Sequence, residues 1–455
     1  MNDFSIKAIR HLESALKSQP DHLPSVVALC EVNFKQKNFS KARSVIDSAL
    51  QQFDANATLC FWDAKIKHSQ GKSIEASIAI DQAIAIECND PGYHFLSLDI
   101  HAQTGNNGKA KESLEKLIDL CPLNGEVHLK LAKLLSHPDD FHRAKLLFEI
   151  SIELLPDQTE PLVSLAKLLY KGLQSSPDGS VISKPDFSAC RHYLAKAIEL
   201  DSSCPKALVQ LAKIALDQKS PEEAQSHLSL CFKDPSTQAE AHFLCAKANL
   251  MADQQESAIV HLKKAADSKP KRAEANLLLG EIFLTRKDFP RAKSYCEKSI
   301  RFFKEDIIID SESTKSLLEK SEFFQARTTA ESIEGKRKSL SKAHLTLYHS
   351  LGKGKPNLKH SSLLSEALEM NPRDVGILHE LGMLALEAGN QMEAKRHFMG
   401  ALDADWHSGK THKQLGLLEI EANERQKAIL HLSVALDIDP KQKGIKKLLA
   451  ELRNQ

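Results

Sequence analysis

Residues 239–272, AEAHFLCAKANLMADQQESAIVHLKKAADSKPKR, run directly into residues 273–306, AEANLLLGEIFLTRKDFPRAKSYCEKSIRFFKED. Both stretches contain 34 residues, and both place a small residue, Ala258 or Ala292, before an apolar residue four positions later and another small residue seven positions later. Spacing of i, i+4 and i+7 puts these side chains on one face of an α-helix, and small residues on that face let two helices cross closely. The two stretches therefore define a helical repeat.

The same series recurs along almost the whole chain. Eleven of its twelve steps are 34 residues long and one is 46. An apolar-small pair, such as Leu131-Ala132 or Leu279-Gly280, precedes the series in most repeats and marks a first helix, so each repeat contains two helices. Turns such as Asp186-Phe187 and Asp288-Phe289 come just before the second helix. Several second helices are expected to end at proline, at Pro20, Pro122, Pro156, Pro270, Pro372 and Pro440.

Composition supports a helical chain without a strong charge bias. The 455 residues include 61 Lys plus Arg and 60 Asp plus Glu, so the net charge is +1, and only 5% of residues are aromatic. This balance argues against a dedicated nucleic-acid coat, and the length is spread over repeats rather than over about three domains of about 150 residues. No membrane span or secretory signal is found, and the nine cysteines have no CxxC pairing. We predict a cytoplasmic protein, with the nucleus left open.

These features resemble the tetratricopeptide repeat family. The resemblance implies an all-α, right-handed superhelical solenoid of about twelve 34-residue helix-turn-helix repeats with a C-terminal capping helix. Asn33, Lys67 and His101 stand where that family commonly has Tyr. The predicted segments are a truncated repeat over 1–22, repeats over 23–304 with a loop insertion at 173–184, degenerate repeats with acidic then basic segments over 305–372, repeats over 373–442, and a capping helix over 443–455.

Motifs typical of enzymes are absent from the sequence. It contains no GxGxxG, GxxxxGK[ST], GxSxG or HExxH motif, and the histidine pairs His137/His142 and His407/His412 are five residues apart, which does not place them on one helical face. We therefore expect no catalytic site, no cofactor and no metal site, and we interpret the histidines as packing or solvated side chains.

The family resemblance implies that positions five and nine of the first helix contact ligands. Position nine holds a row of lysines that suits an acidic partner segment, although lysine is also an ordinary residue on a wet helix face. We call Lys65, Lys133, Lys167, Lys213, Lys247 and Lys315 the lysine row. Position five is apolar, and its aromatic members Phe61, Phe95 and Phe243 are either anchors for a partner or packing residues between helices.

The family's carboxylate clamp for chaperone C-termini does not fit this chain. It requires Lys at position five and Asn at position nine, whereas position five is apolar in the first eight repeats and position nine is never Asn. A clamp-type chaperone adaptor is therefore disfavoured, and protein or peptide segments that are acidic or partly apolar are the expected partners.

A dense basic segment follows an acidic one in the degenerate section. Glu305 to Glu334 contains eight acidic residues, while Gly335 to Ser362 contains none. The basic segment could meet RNA, an acidic lipid or an acidic partner, or its charges could be solvated or paired with the neighbouring acids. Its cations are Lys336, Arg337, Lys338, Lys342, Lys353, Lys355 and Lys359.

The sequence predicts a non-catalytic scaffold that binds protein partners on the concave face of the solenoid and organises a multiprotein complex. Three alternatives stay open: a structural subunit of a large repeat-rich assembly, of the anaphase-promoting ubiquitin-ligase or ciliary transport type, an RNA-associated helical-repeat protein, and the non-catalytic arm of a larger enzyme. Nucleic acid is the less favoured partner because the basic segment lacks interleaved aromatic residues.

Overall fold

The computed structural model describes residues 3–53, 55–135, 140–172, 186–269, 271–319, 323–352, 358–441 and 444–454. Within these ranges the regular elements are 24 α-helices and short 3-10 turns, and no strand is present. The all-α prediction is therefore confirmed. The loop insertion predicted at 173–184 lies outside the described residues, as do Lys353 and Lys355.

The chain forms two compact units. Unit 1 comprises Met1–Ala207 and Leu317–Phe324, and unit 2 comprises Leu208–Ser316 and Gln325–Gln455. The helices up to the boundary are α1 (Asp3–Ser18), α2 (Leu23–Lys35), α3 (Phe39–Gln52), α4 (Ala57–Ser69), α5 (Ser73–Ile86), α6 (Pro91–Thr104), α7 (Asn107–Leu120), α8 (Gly125–Leu134), α9 (Phe141–Leu154), α10 (Thr159–Lys171), α11 (Phe187–Leu200) and α12 (Pro205–Asp217).

The remaining helices belong mainly to unit 2. They are α13 (Pro221–Leu228), α14 (Gln238–Met251), α15 (Gln255–Ala266), α16 (Arg272–Thr285), α17 (Phe289–Glu319), α18 (Phe323–Leu351), α19 (Ser361–Met370), α20 (Val375–Glu387), α21 (Gln391–Ala404), α22 (Gly409–Glu421), α23 (Arg425–Ile438) and α24 (Ile445–Asn454). First and second helices of one repeat pack as antiparallel neighbours, as in α4 with α5 and α14 with α15.

The turn inside most repeats uses one residue in the left-handed region. Gly105 has φ +68°, and Lys287 occupies the same position of its repeat with φ +60°. A left-handed residue ends the first helix and reverses the chain within a few residues. The second helix then begins at the phenylalanine that follows the predicted turn, as α11 does at Phe187 and α17 at Phe289. The sequence therefore located these helix starts correctly.

Small residues hold the two helices of a repeat together at close range. A Cβ atom added to Gly280 would lie 2.6 Å from Cys296 Sγ, so α16 and α17 approach each other closely where the side chains are small. Ala292 is fully buried at the same crossing. Ser299, the small residue seven positions after Ala292, donates its hydroxyl to the carbonyl of Ala273 at 2.9 Å. The repeat pattern thus encodes both a close crossing and a hydrogen bond that fixes its register.

The degenerate section differs from the prediction. We expected two further helix-turn-helix repeats with a boundary after residue 304, but α17 continues for 31 residues through this boundary and α18 continues for 29 residues. Both positions where other repeats place proline hold lysine instead, Lys304 and Lys338. Unlike proline, lysine keeps its backbone donor and permits the helix to continue. Proline is not required to end a second helix, because α5, α11 and α21 end although Cys88, Ser202 and Trp406 stand at the same position. The division between the units falls within α12, and residues 317–324 of this section are assigned to unit 1.

The last helix covers the end of the repeat stack as the sequence predicted. Ile445, Leu449 and Leu452 of α24 are buried against Leu432 and Ala435 of α23. These positions lie on one face of α24, while its other side chains are largely exposed. An amphipathic helix of this kind shields the apolar face that a further repeat would otherwise cover.

Candidate functional site

The lysine row is partly neutralised by contacts between consecutive repeats. Lys133 Nζ on α8 lies 2.6 Å from Glu160 Oε1 on α10, and Lys213 Nζ on α12 lies 2.7 Å from Glu240 Oε1 on α14. In both pairs, position nine of one repeat meets position two of the next, 27 residues further along the chain. These lysines therefore link neighbouring first helices as well as facing solvent.

Two further members of the row lie on aromatic rings. Lys65 Nζ is 4.8 Å from the ring centre of Trp62 and 5.3 Å from that of Phe61. Lys247 Nζ is 4.9 Å from the ring centre of Phe243, and burial followed by the charge of Lys271 lowers the pKa of Lys247. Cation-π contacts of this type hold an ammonium group in place without a carboxylate.

Three lysines act on the carboxylate of Glu160 in unit 1. The pKa of Glu160 is lowered, first by the hydrogen bond from Lys133, against an opposing effect of burial, and then by the charges of Lys133, Lys206 and Lys167. One carboxylate is thus surrounded by three lysines, all of them exposed. We call Lys133, Glu160, Lys167 and Lys206 the Glu160 cluster. Lys315, the last member of the row, is exposed on α17 of unit 2.

The aromatic residues at position five, Phe61, Phe95 and Phe243, are buried to different degrees. Phe243 is 6% exposed and belongs to the core between α14 and its neighbours. Phe61 is half-buried, with its ring centre 5.1 Å from that of Tyr93 on the next first helix. Phe95 is also half-buried. A partner would therefore reach only the edges of these rings, which makes them weaker anchors than the sequence alone suggested.

Three cations of the basic segment are paired with carboxylates. This reduces the free positive charge that the sequence predicted for the segment, because ion pairs of this length neutralise both partners. Arg337 and Lys359 are exposed. The pairs are Lys336 Nζ with Asp310 Oδ2 at 2.7 Å, Lys338 Nζ with Glu334 Oε1 at 3.5 Å, and Lys342 Nζ with Glu281 Oε1 at 2.6 Å.

Polar residues replace the family's tyrosine in the first repeats, and Asn33 and His101 each form one local contact while Asn33 Oδ1 and His101 Nδ1 have no hydrogen-bond partner among the described residues. Asn33 is 2% exposed and donates Nδ2 to the carbonyl of Leu29 at 2.8 Å. His101 is also buried, and its Nε2 lies 3.2 Å from Asp81 Oδ1 on α5 of the preceding repeat. These contacts are structural, since buried polar groups need a partner.

Sequence reasoning missed two pairs of histidines. The Nδ1 atoms of His242 and His261 lie 2.9 Å apart, and those of His412 and His431 are separated by the same distance. Burial is the first cause that lowers the pKa of each of the four rings, to about 4 for His242. Each pair joins positions four and 23 of one repeat, a spacing of 19 residues that was visible in the sequence. No group of three or more metal-ligating side chains occurs among the described residues.

The fold defined by these observations is that of a helical-repeat protein with no strand in its described ranges. Three models of the tetratricopeptide repeat match the chain, over residues 91–122, 239–306 and 363–396. The match over 239–306 covers two consecutive 34-residue repeats. The chain is therefore a tetratricopeptide repeat protein.

Solved structures of similar fold are distant in sequence. The APC/C hetero-tetramer Cut9-Hcn1 matches with 13% identity over 99% of this chain and 94% of that chain, at a TM-score of 0.37. The assembly chaperone of RpL4, Acl4, matches with 14% identity over 55% of this chain and 95% of that chain, at a TM-score of 0.44. The PilF protein of Pseudomonas aeruginosa matches with 15% identity over 55% of this chain and 98% of that chain, at a TM-score of 0.42. At these values the matches carry no argument about function.

No curated protein matches the chain at a significant level. Proteins built from tetratricopeptide repeats are typically non-catalytic scaffolds, and protein interaction is the general role that the three repeat matches support. Among the helices that the structure describes, none combines the length and the apolar character needed to cross a membrane.

Proposed function

We propose that this protein is a scaffold that binds an acidic segment of a partner protein along the first helices α8, α10 and α12 and thereby organises a multiprotein complex. The Glu160 cluster is the observation that supports this proposal. The charges of its three lysines all act on this one carboxylate, which favours an incoming acidic chain at this face. Glu160 itself already occupies the position that a partner's carboxylate would take.

The surroundings of the cluster suit a peptide better than a small ligand. Lys130 and Lys171 are exposed on the same two helices, α8 and α10, and extend the positive charge beyond the cluster. Val163 and Leu129, the residues at position five, are buried beside it and leave the exposed part of this face polar. Contacts between exposed charges govern encounter and specificity and weaken as salt is added, because the Debye length is only about 10 Å at 0.1 M ionic strength.

Charge reversal of Lys167 and Lys206 tests the proposal and keeps the Lys133–Glu160 pair intact. A fluorescein-labelled peptide of alternating Glu and Leu serves as the probe, and its binding is followed by fluorescence anisotropy. We expect K167E/K206E to weaken binding by about tenfold or more, which corresponds to about 1.4 kcal/mol. The same variant should lose its most abundant partners in affinity purification followed by mass spectrometry.

A matched control places the same charge change on second helices of the same repeats. Lys145 on α9 is half-buried as a residue but keeps 42% of its side chain exposed, and Lys196 on α11 is exposed. The variant K145E/K196E should retain peptide binding and partner capture. Equal losses in both double variants would mean that only net charge matters, and unchanged binding in K167E/K206E would overturn the assignment of this face.

A cytoplasmic location fits the thiol chemistry of the chain. All nine cysteines fall within the described ranges and all are free thiols. Seven of them are buried. Free thiols persist in reducing compartments, whereas secreted proteins of comparable cysteine content usually form disulfides. Fractionation of cells that express a tagged chain tests this location.

A further inference from the structure

A cleft of about 470 Å³ lies between α15, α16 and α17 in unit 2. Its walls are formed by second helices on two sides, so it is separate from the row of lysines on the first helices. We call it the α15–α17 cleft. Its polar and aromatic lining residues are Lys263, Asp267, Asn276, Tyr295, Lys298, Arg301 and Phe302.

Aromatic rings hold two cations of this cleft in position. Lys298 Nζ lies 5.4 Å from the ring centre of Tyr295, and the guanidinium carbon of Arg301 lies 4.7 Å from that of Phe302. The rings are themselves fixed, because Tyr295 stacks on Phe283 with ring centres 5.5 Å apart and an interplanar angle of 5°. The cations are therefore oriented before any ligand arrives.

Carboxylates neutralise only part of the charge of these cations. In the part of the chain that the structure describes, neither Lys263 nor Lys298 forms an ion pair. Arg301 Nε is 3.8 Å from Glu305 Oε1, and Glu305 already accepts a hydrogen bond from Arg272 at 2.9 Å. Asp267 is the one carboxylate in the lining, against three cations. The cleft thus keeps a net positive charge in a concave and partly enclosed setting.

We infer that the α15–α17 cleft binds the phosphate group of a nucleotide, either free or within a single-stranded nucleic acid. Arg301 offers a planar fork of donors that matches phosphate oxygens, and Lys263 and Lys298 add point charges. The net positive charge of the lining and the arginine fork together suit a phosphate. The volume lies in the range of about 300–1,000 Å³ typical of small-molecule sites.

An adjacent cleft supplies ring faces for the base. It measures about 530 Å³, shares Asp267 with the α15–α17 cleft, and is lined by Phe232, His242 and His261. The ring of Phe232 stacks on that of His242 with centres 4.4 Å apart and an interplanar angle of 13°. Basic groups beside aromatic rings are the usual arrangement for single-stranded nucleic acid, whose bases stack while its phosphates meet lysine and arginine. The basic segment over 335–362 lacks this interleaving.

Two probes distinguish the sources of the phosphate. ATP in EDTA-containing buffer represents a free nucleotide and is measured by isothermal titration calorimetry. A fluorescein-labelled ten-residue oligouridylate represents a single strand and is measured by fluorescence anisotropy. Binding of ATP indicates a nucleotide site, and binding of the oligouridylate alone indicates a site for the nucleic-acid backbone. If neither probe binds the full chain at 0.1 M salt, the inference is wrong.

Variants on one helix separate this site from general charge. The double variant Lys298→Gln with Arg301→Gln should weaken binding of the active probe by about tenfold or more. The control Lys293→Gln with Lys304→Gln removes the same charge from exposed positions of α17 outside the cleft and should change binding by less than about twofold. Similar losses in both variants, or no loss in the first, would overturn the assignment.

A third variant tests the geometry rather than the charge. Arg301→Lys keeps the positive charge but loses the planar fork, so its affinity should fall between those of the wild type and the double variant. For the oligouridylate, the double variant should also reduce the slope of log affinity against log salt by about 1.4, because about 0.7 is lost per phosphate contact. Far-ultraviolet circular dichroism of each variant checks that it remains folded.

Discussion

Substituting Gly382 tests how closely the helices of one repeat are packed. A Cβ atom at Gly382 on α20 would lie 2.4, 2.7 and 2.8 Å from three ring carbons of Phe398 on α21. Phe398 is fully buried, and its ring also lies against His379, with centres 5.5 Å apart. The ring therefore has little space into which it can move, and Gly382→Ala must separate the two helices or strain the side chain.

The expected magnitude is the difference between two opposing effects. Overpacking a core of this density costs about 1–3 kcal/mol. Replacing glycine by alanine inside a helix returns about 1 kcal/mol. Three ring carbons closer than 3.0 Å place the overpacking cost in the upper part of this range, at about 2–3 kcal/mol, so we expect Gly382→Ala to lower the free energy of opening of α20 and α21 by about 1–2 kcal/mol. Native-state hydrogen exchange measures this locally, and the amides of these helices should exchange about 5–30 times faster.

A local measurement is necessary because a chain of repeats does not unfold in a single two-state step. Gly335 on α18 provides the matched control, since it is helical and exposed and no atom lies within 4 Å of an added Cβ. Gly335→Ala should slow exchange in α18 through helix propensity alone. The contrast in sign between these two alanine variants separates packing from propensity.

A second substitution should restore the packing. In the repeat over 239–272 the equivalent positions hold Ala246 and Leu262, both fully buried. We expect Phe398→Leu to recover most of the stability lost in Gly382→Ala, although it costs stability on its own, so the two changes are coupled. The reasoning is refuted if Gly382→Ala leaves exchange in α20 and α21 unchanged or slower, or if Phe398→Leu adds to the damage.

Three further predictions concern protonation, helix continuity and thiol reactivity. Burial lowers the pKa of His242 to about 4, so between pH 6.5 and 4 the unfolded chain binds protons that the folded pair with His261 does not. The urea midpoint for unit 2 should therefore fall as the pH is lowered through this window. The variant His242→Gln should make that decline less steep. Lys304→Pro should divide α17 at the position where other repeats end a second helix. The free energy of unfolding should fall by about 3 kcal/mol, and the helical circular dichroism signal should decrease. An unchanged spectrum and stability would contradict our account of the long helices. The thiol of Cys88 is exposed, whereas burial raises the pKa of Cys296 to about 12. The reagent 5,5′-dithiobis(2-nitrobenzoic acid) should therefore label Cys88 within minutes and Cys296 only on unfolding. Peptide mass spectrometry identifies the labelled cysteines.

Periodic features of this protein were predictable from the sequence because they are local. The spacing of small residues fixes which side of a helix is narrow, and the residues flanking a turn fix where the next helix begins. Phe289 begins α17, and Ile445 begins a buried apolar face on α24, both as the sequence indicated. The continuous helices α17 and α18 were not predictable in this way, because other repeats without proline at that position still end their second helix.

The candidate site was predictable only in part, because a side chain's charge says nothing about what neutralises it. Lys133 and Lys298 are both exposed lysines of a repeat helix, and the sequence singled out only the first. The structure places Lys133 against Glu160, 27 residues away, whereas Lys298 lies on the ring of Tyr295.

The sequence by itself therefore determined the repeat, its helices and the faces that pack, since these depend on residues within one or two helical turns. The tertiary structure alone decided which cations pair with carboxylates and which remain available to a ligand. Electrostatic interaction falls with distance in space and not with separation along the chain, and neighbouring repeats bring residues about 27 positions apart into contact. The lysine row and the α15–α17 cleft consequently differ in how their cations are held.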